Sequence, residues 1–107
     1  MKSINSAELN SALHSANPPT IFDVRKKPVF DSDPALIANA TWQVFDQVED
    51  WASTLSADMK NKPVVVYCVH GHEVSQSVTK KLNELGFDAS YLEGGIAQWI
   101  DEGFSVA

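Results

Sequence analysis

Cys68, the only cysteine in the chain, stands where a nucleophile belongs. It follows Val64-Val65-Val66-Tyr67 and precedes Val69-His70-Gly71-His72-Glu73-Val74, the last residues of which open an amphipathic segment. A run of β-branched and aromatic residues after Pro63 predicts a buried parallel strand, and ligands in open α/β sheets bind just beyond the carboxyl ends of such strands. A thiol held there meets consecutive backbone N–H groups and the positive end of the next helix, which favour the thiolate and attract anions. Free cysteines are often no more than small buried hydrophobes. The strand-end position before a glycine-containing loop argues instead for chemistry.

The elements that must hold Cys68 alternate along the chain. Asn5 and Glu8 are spaced as a capping box, and Leu9, Ala12, Leu13 and Ala16 recur at helical spacing before Pro18-Pro19. Thr20 to Val24 predicts a strand, residues 25 to 40 an irregular surface segment rich in Pro and Asp, and Thr41 to Val44 a short strand. Val48, Trp51, Ala52, Leu55 and Met59 predict a helix from about Asp46 to Met59. After the cysteine loop, Val74, Val78, Leu82 and Leu85 mark another, closed by Gly86 in a left-handed cap. Ala89 to Leu92 is a further strand, Gly94-Gly95 a turn needing positive φ, and Ile96 to Glu102 a last helix ending at Gly103. The expected architecture is one α/β domain over residues 1–107, a parallel sheet of about five strands with helices on both faces.

Composition narrows the partners. The chain has 107 residues, 44% of them hydrophobic, with 14 acidic against 8 basic residues and a net charge of −6. Such an acidic surface disfavours a nucleic-acid backbone. The amino-terminal residues lack the apolar stretch of a signal peptide, and no segment approaches the roughly 18 apolar residues of a membrane span, so a cytoplasmic location without membrane contact is expected. A single cysteine makes no internal disulfide. Cys68, His70 and His72 include good zinc ligands, but no further Cys or His lies near them in sequence, and no metal or other cofactor is expected.

Three separated pieces resemble the rhodanese, or sulfurtransferase, domain family in the right order. Asp23-Val24-Arg25 resembles its strand-end Asp-Val-Arg element, and Cys68 to Val74 resembles its active-site loop with glycine three residues after the cysteine. Leu92-Glu93-Gly94-Gly95-Ile96-Ala97-Gln98-Trp99, with Gly103, resembles its carboxy-terminal signature. The resemblance implies a sulfur relay. Cys68 takes a sulfane sulfur from thiosulfate, a polysulfide or a persulfide, holds it as a persulfide, and passes it to a thiol, cyanide or an acceptor protein. Val69, His70, Gly71, His72, Glu73 and Val74 would bind the substrate, while Asp23 and Arg25 support the loop as an ion pair more than they act in catalysis. Trp51 and Trp99 belong to the core, and the 94-95 glycines to the turn.

The chain also departs from that pattern. Glu73 stands where many family loops carry arginine or lysine, Val74 where a serine is common, and Ala35 to Ala40 replaces a glycine-histidine segment. A carboxylate beside the pocket repels a dianionic donor unless it points outward as a helix-terminal charge. His70 and His72 offer partial positive charge in mild acid, or hydrogen bonds to a persulfide at neutral pH. A tyrosine-phosphatase-like reading requires an arginine closing the loop, where Val74 stands. The remaining competitor is a catalytically silent rhodanese-like module that binds a partner or senses oxidants through Cys68.

Overall fold

Hydrophobic alternation in one strand organises both layers of the molecule. In the computed structural model, which describes residues Met1–Ala107, β1 (Ser3–Ile4), β2 (Thr20–Asp23), β3 (Ala40–Trp42), β4 (Pro63–Tyr67) and β5 (Asp88–Leu92) form one sheet in the order β1-β5-β4-β2-β3. Every pairing is parallel. Side chains alternate across a strand. Val64 and Val66 therefore join a core with Val48, Trp51 and Ala52 of α3 (Val48–Ala52) and Val78 and Leu82 of α4 (Glu73–Glu84). Val65 and Tyr67 face the other way, onto Leu9 of α1 (Ser6–Leu13) and Ile96 and Trp99 of α5 (Gly95–Asp101). This is the α/β architecture expected, with helices on both faces of the sheet.

Strand order locates the crevice. From β2 the chain passes outward to β3, whereas from β4 it passes the opposite way to β5. The connections thus diverge between the carboxyl ends of β2 and β4, the switch point at which such sheets bind ligands. Asp23 pairs with Tyr67 in the parallel register, so Cys68 emerges at that opening.

Several elements differ from expectation for local reasons. The segment expected to be irregular contains α2 (Lys27–Ser32), started by a proline in its first turn, where a missing N–H costs nothing. β3 is displaced toward the amino terminus, ending at Trp42 and not Val44. The expected helix to Met59 stops at Ala52 because the Ser53 and Thr54 hydroxyls donate to the carbonyls of Asp50 and Trp51 at 2.7 Å, and a 3-10 turn follows at Ala57–Asn61. Leu55 and Met59 nevertheless pack on the same core as Val48 and Trp51. The first helix ends at Leu13, before Ala16, and β1 is too short for any periodicity to signal. The Asn5–Glu8 capping box is present, with Glu8 N–H donating to Asn5 Oδ1 at 2.8 Å.

A buried ion pair fixes the end of β2. The Arg25 guanidinium forks onto Asp23 through Nε and Nη2 at 2.9 and 2.6 Å, and donates further to the carbonyls of Asp33 and Ala35 at 3.0 and 2.8 Å. It lies over the Phe30 ring, which stacks on Trp42. Burial opposes the charge on Arg25, but hydrogen bonding and attraction to Asp23 prevail and hold its pKa above the ordinary value. Removing one member of such a pair strands the other. Arg25→Ala is expected to lower stability in urea unfolding by about 3–5 kcal/mol. Arg25→Lys, lacking the fork, is expected to recover only part of that loss.

Candidate active site

The loop between β4 and α4 is shaped by what packs against its outer side. At Gly71, with φ +73°, an added Cβ would sit 2.5 Å from the Leu92 carbonyl oxygen and 2.8 Å from the Gly94 nitrogen. At Gly95, with φ +61°, it would collide with the Cys68 carbonyl oxygen at 2.5 Å and with that of Val69. Gly71 and Gly95 thus let two turns touch backbone to backbone.

That contact orients the loop's peptides. The N–H groups of Ile96 and Ala97, at the start of α5, donate to the Cys68 and Val69 carbonyls, both at 3.0 Å. In a trans peptide the carbonyl and the following N–H point in opposite directions. The N–H groups of Val69 and His70 are therefore turned away from α5. The Gln76 side chain does the same for the next part of the loop, donating to the Gly71 carbonyl at 3.0 Å. Every backbone N–H from Val69 to Ser75 is left without a backbone acceptor. Consecutive uncommitted N–H groups leading into the first turn of a helix form an anion cradle.

Cys68 sits at the base of this loop, 7% exposed. Its Sγ lies 3.1 Å from the hydroxyl of Ser75, which is fully buried. Tyr67, immediately before it, is held neutral: burial, and then the charge of Asp23, push its pKa well above the ordinary phenol. The Tyr67 hydroxyl accepts from the Ile37 N–H at 3.2 Å, tying the segment after α2 to the end of β4.

The residues expected to form the site divide into two sets. Val69, Gly71 and Val74 are at least half-buried and contribute main chain, whereas the side chains of His70, His72 and Glu73 are exposed. Glu73 occupies the first turn of α4, where a carboxylate complements the helix dipole. Asp23 and Arg25 stand at the neighbouring strand end, but the Arg25 guanidinium donates only to Asp23, Asp33 and Ala35 and to nothing in the loop. No lysine or arginine occurs between Cys68 and Thr79.

Two features escaped the sequence reading. Ser75 contacts the sulfur, one position beyond the valine that replaces the serine common in the family. The signal was there: Ser75, Val78, Thr79 and Leu82 share one buried face of α4, so a serine on an apolar stripe marked a buried hydroxyl. A cleft of about 610 Å³ also lies beside the loop, lined by His70, His72, Gln76, Tyr91 and Gln98 together with the carboxylates of Glu93 and Asp101. Its residues are scattered along the chain, and only the β5–α5 turn brings them to the loop.

A family model of the rhodanese-like domain matches residues 5–102. The chain belongs to the rhodanese-like domain family. Over 80 residues this rhodanese-like chain is 40% identical to the thiosulfate sulfurtransferase GlpE of Coxiella burnetii, covering 74% of this chain and 69% of that protein. It is 33% identical over 91 residues to the adenylyltransferase and sulfurtransferase UBA4 of Yarrowia lipolytica, covering 80% of this chain but only 22% of that longer protein. Its fold matches a rhodanese-like domain protein of Staphylococcus aureus with a TM-score of 0.81 at 32% identity, over 100% of this chain and 99% of the other. These likenesses support sulfur transfer as the general chemistry of the rhodanese-like domain. No helix is long and apolar enough to cross a membrane.

The backbone contact predicts a contrast between glycines. At Gly86, with φ +95°, an added Cβ meets nothing closer than the Lys60 side chain at 3.7 Å. Gly86→Ala is expected to cost about 1–3 kcal/mol of backbone strain and leave Cys68 reactivity unchanged. Gly95→Ala is expected to cost more in denaturant melts and to slow alkylation of Cys68, because the loop must shift to admit the methyl group.

Proposed function

We propose that this rhodanese-like domain is a sulfurtransferase whose sulfur carrier is Cys68. The thiolate attacks the sulfane sulfur of a donor, forming a new S–S bond while the donor's own S–S bond breaks and releases a thiolate or, from thiosulfate, sulfite. An acceptor thiolate or cyanide then attacks the outer sulfur of the Cys68 persulfide, and Cys68 leaves as a thiolate. The observation that carries this reading is a buried Cys68 at the start of a loop whose N–H groups from Val69 to Ser75 have no backbone acceptor. Their dipoles stabilise negative sulfur before attack and after departure, with no reorganisation at the moment of reaction.

The same loop supports a choice of donor. A dianion entering here finds no fixed cation, an exposed Glu73 at the rim and the carboxylates of Glu93 and Asp101 in the adjoining cleft. Coulomb repulsion favours persulfides and polysulfides of lower charge over thiosulfate. The partners are then a small sulfur donor and a thiol or cyanide acceptor, with an acceptor protein able to dock at the exposed loop. A reducing cytoplasm, which keeps a lone thiol free, suits this chemistry.

Intact mass measures the central step. Incubation with polysulfide is expected to add one sulfur atom to the native chain and none to Cys68→Ser. The absence of an adduct with every sulfane donor would leave a silent binding or redox-sensing module. Donor choice has its own readout: Glu73→Arg is expected to lower KM for thiosulfate several-fold while leaving the kinetics with a neutral organic trisulfide unchanged. Unchanged thiosulfate kinetics in Glu73→Arg would put Glu73 out of the donor's reach.

A further inference from the structure

We propose that the Ser75 hydroxyl is the side-chain hydrogen-bond donor that holds Cys68 as a thiolate, taking the part a cationic side chain would otherwise play. The neutral thiol donates to Ser75 Oγ across 3.1 Å. When the thiol loses its proton the hydroxyl rotates about its C–O bond and donates to the sulfur instead. A hydrogen bond to an ionised partner is about twice as strong as one between neutral groups, so the contact stabilises the anion over the acid. Ser75 is fully buried, and water does not compete for its hydroxyl.

Its position is itself fixed. Ser75 lies in the first turn of α4, and its carbonyl accepts from the buried Thr79 hydroxyl at 2.7 Å. The charged and titratable groups on the surrounding elements leave this task open. His70, His72 and Glu73 on the loop are exposed, and Asp23 and Arg25 at the end of β2 neutralise one another. Tyr67 remains a neutral phenol. Glu93, in the turn before α5, accepts from the Ser3 hydroxyl at 2.6 Å. The first turn of α5 carries no acidic residue, and Asp101 lies at its far end. Lys81, on α4, pairs with Glu49. The hydroxyl of Ser75 is the hydrogen-bonding partner of Sγ.

The role deepens the sulfur-transfer reading in one respect, for the same donor would stabilise Cys68 as the leaving group when an acceptor takes the outer sulfur. Its test does not depend on sulfur transfer. The rate of alkylation of the full chain by iodoacetamide is measured from pH 5 to 10. Ser75→Ala is expected to react about tenfold more slowly than the native chain at pH 7 and at the native rate at pH 10, where the thiol is ionised without help. Ser75→Thr, which keeps the hydroxyl, is expected to restore the rate at pH 7, and Ser77→Ala, which removes an exposed hydroxyl of the same helix, to leave the whole profile unchanged. A Ser75→Ala profile that superimposes on the native one, or that is lowered equally at every pH, overturns the proposal. Should Ser75→Ala fail to fold by circular dichroism, Ser75→Gly, which also removes the hydroxyl, supplies the same comparison, and a native rate at pH 7 overturns it. Persulfide formation in the native chain stands or falls separately, by mass.

Discussion

The structure depends on a contact between two pieces of backbone. Gly95 lies so close to the carbonyls of Cys68 and Val69 that no side chain fits between them, and the first N–H groups of α5 hold those carbonyls at 3.0 Å. Each half requires the other. Without the glycine, α5 could not approach, and without the two hydrogen bonds the loop would have no reason to present its carbonyls to one side and its N–H groups to the other. An anion site built this way draws its polarity from main-chain dipoles whose directions are set by packing, and packing in a dense core shifts little. The carboxy-terminal turn thus shapes the cysteine loop through its backbone.

The sheet supplies the second requirement, an opening at the correct end of the correct strand. β4 is central, flanked by β5 and β2, and buried on both faces, so its last residue is delivered with little freedom. The buried Asp23–Arg25 pair performs a similar service on the neighbouring strand, drawing the carbonyls of Asp33 and Ala35 inward and closing the segment that follows β2. The charge of Arg25 is consumed by architecture. That is why a loop lacking a basic residue of its own finds no replacement from next door.

Much of this was readable from residue patterns, and the failures share a cause. The central strand, the Asn5 cap, the left-handed glycines and the position of Cys68 follow from local chemistry, and the structure has all of them. Periodicity across residues 48 to 59 correctly reported which side chains face the core but not that the helix breaks, since the turn after Ala52 and the 3-10 turn at Ala57–Asn61 keep Leu55 and Met59 on the same core. α2 was hidden by Pro28, which terminates a helix from within but begins one from its first turn. The cleft and the contact of Ser75 with sulfur depend on which elements meet, and no window of neighbouring residues contains that information.

Because the cradle is made of main chain, the side chains of His70, His72 and Glu73 are exposed and spared the work of holding the nucleophile. In the proposed sulfur-transfer reading, substitutions at those positions alter which sulfur compound or partner the loop admits, while the glycines and the peptide dipoles around Cys68 stay in place. Reactivity and selectivity then rest on different parts of one loop. On that reading, a lineage carrying this loop changes its substrate by drift at the rim and keeps its reactive thiol.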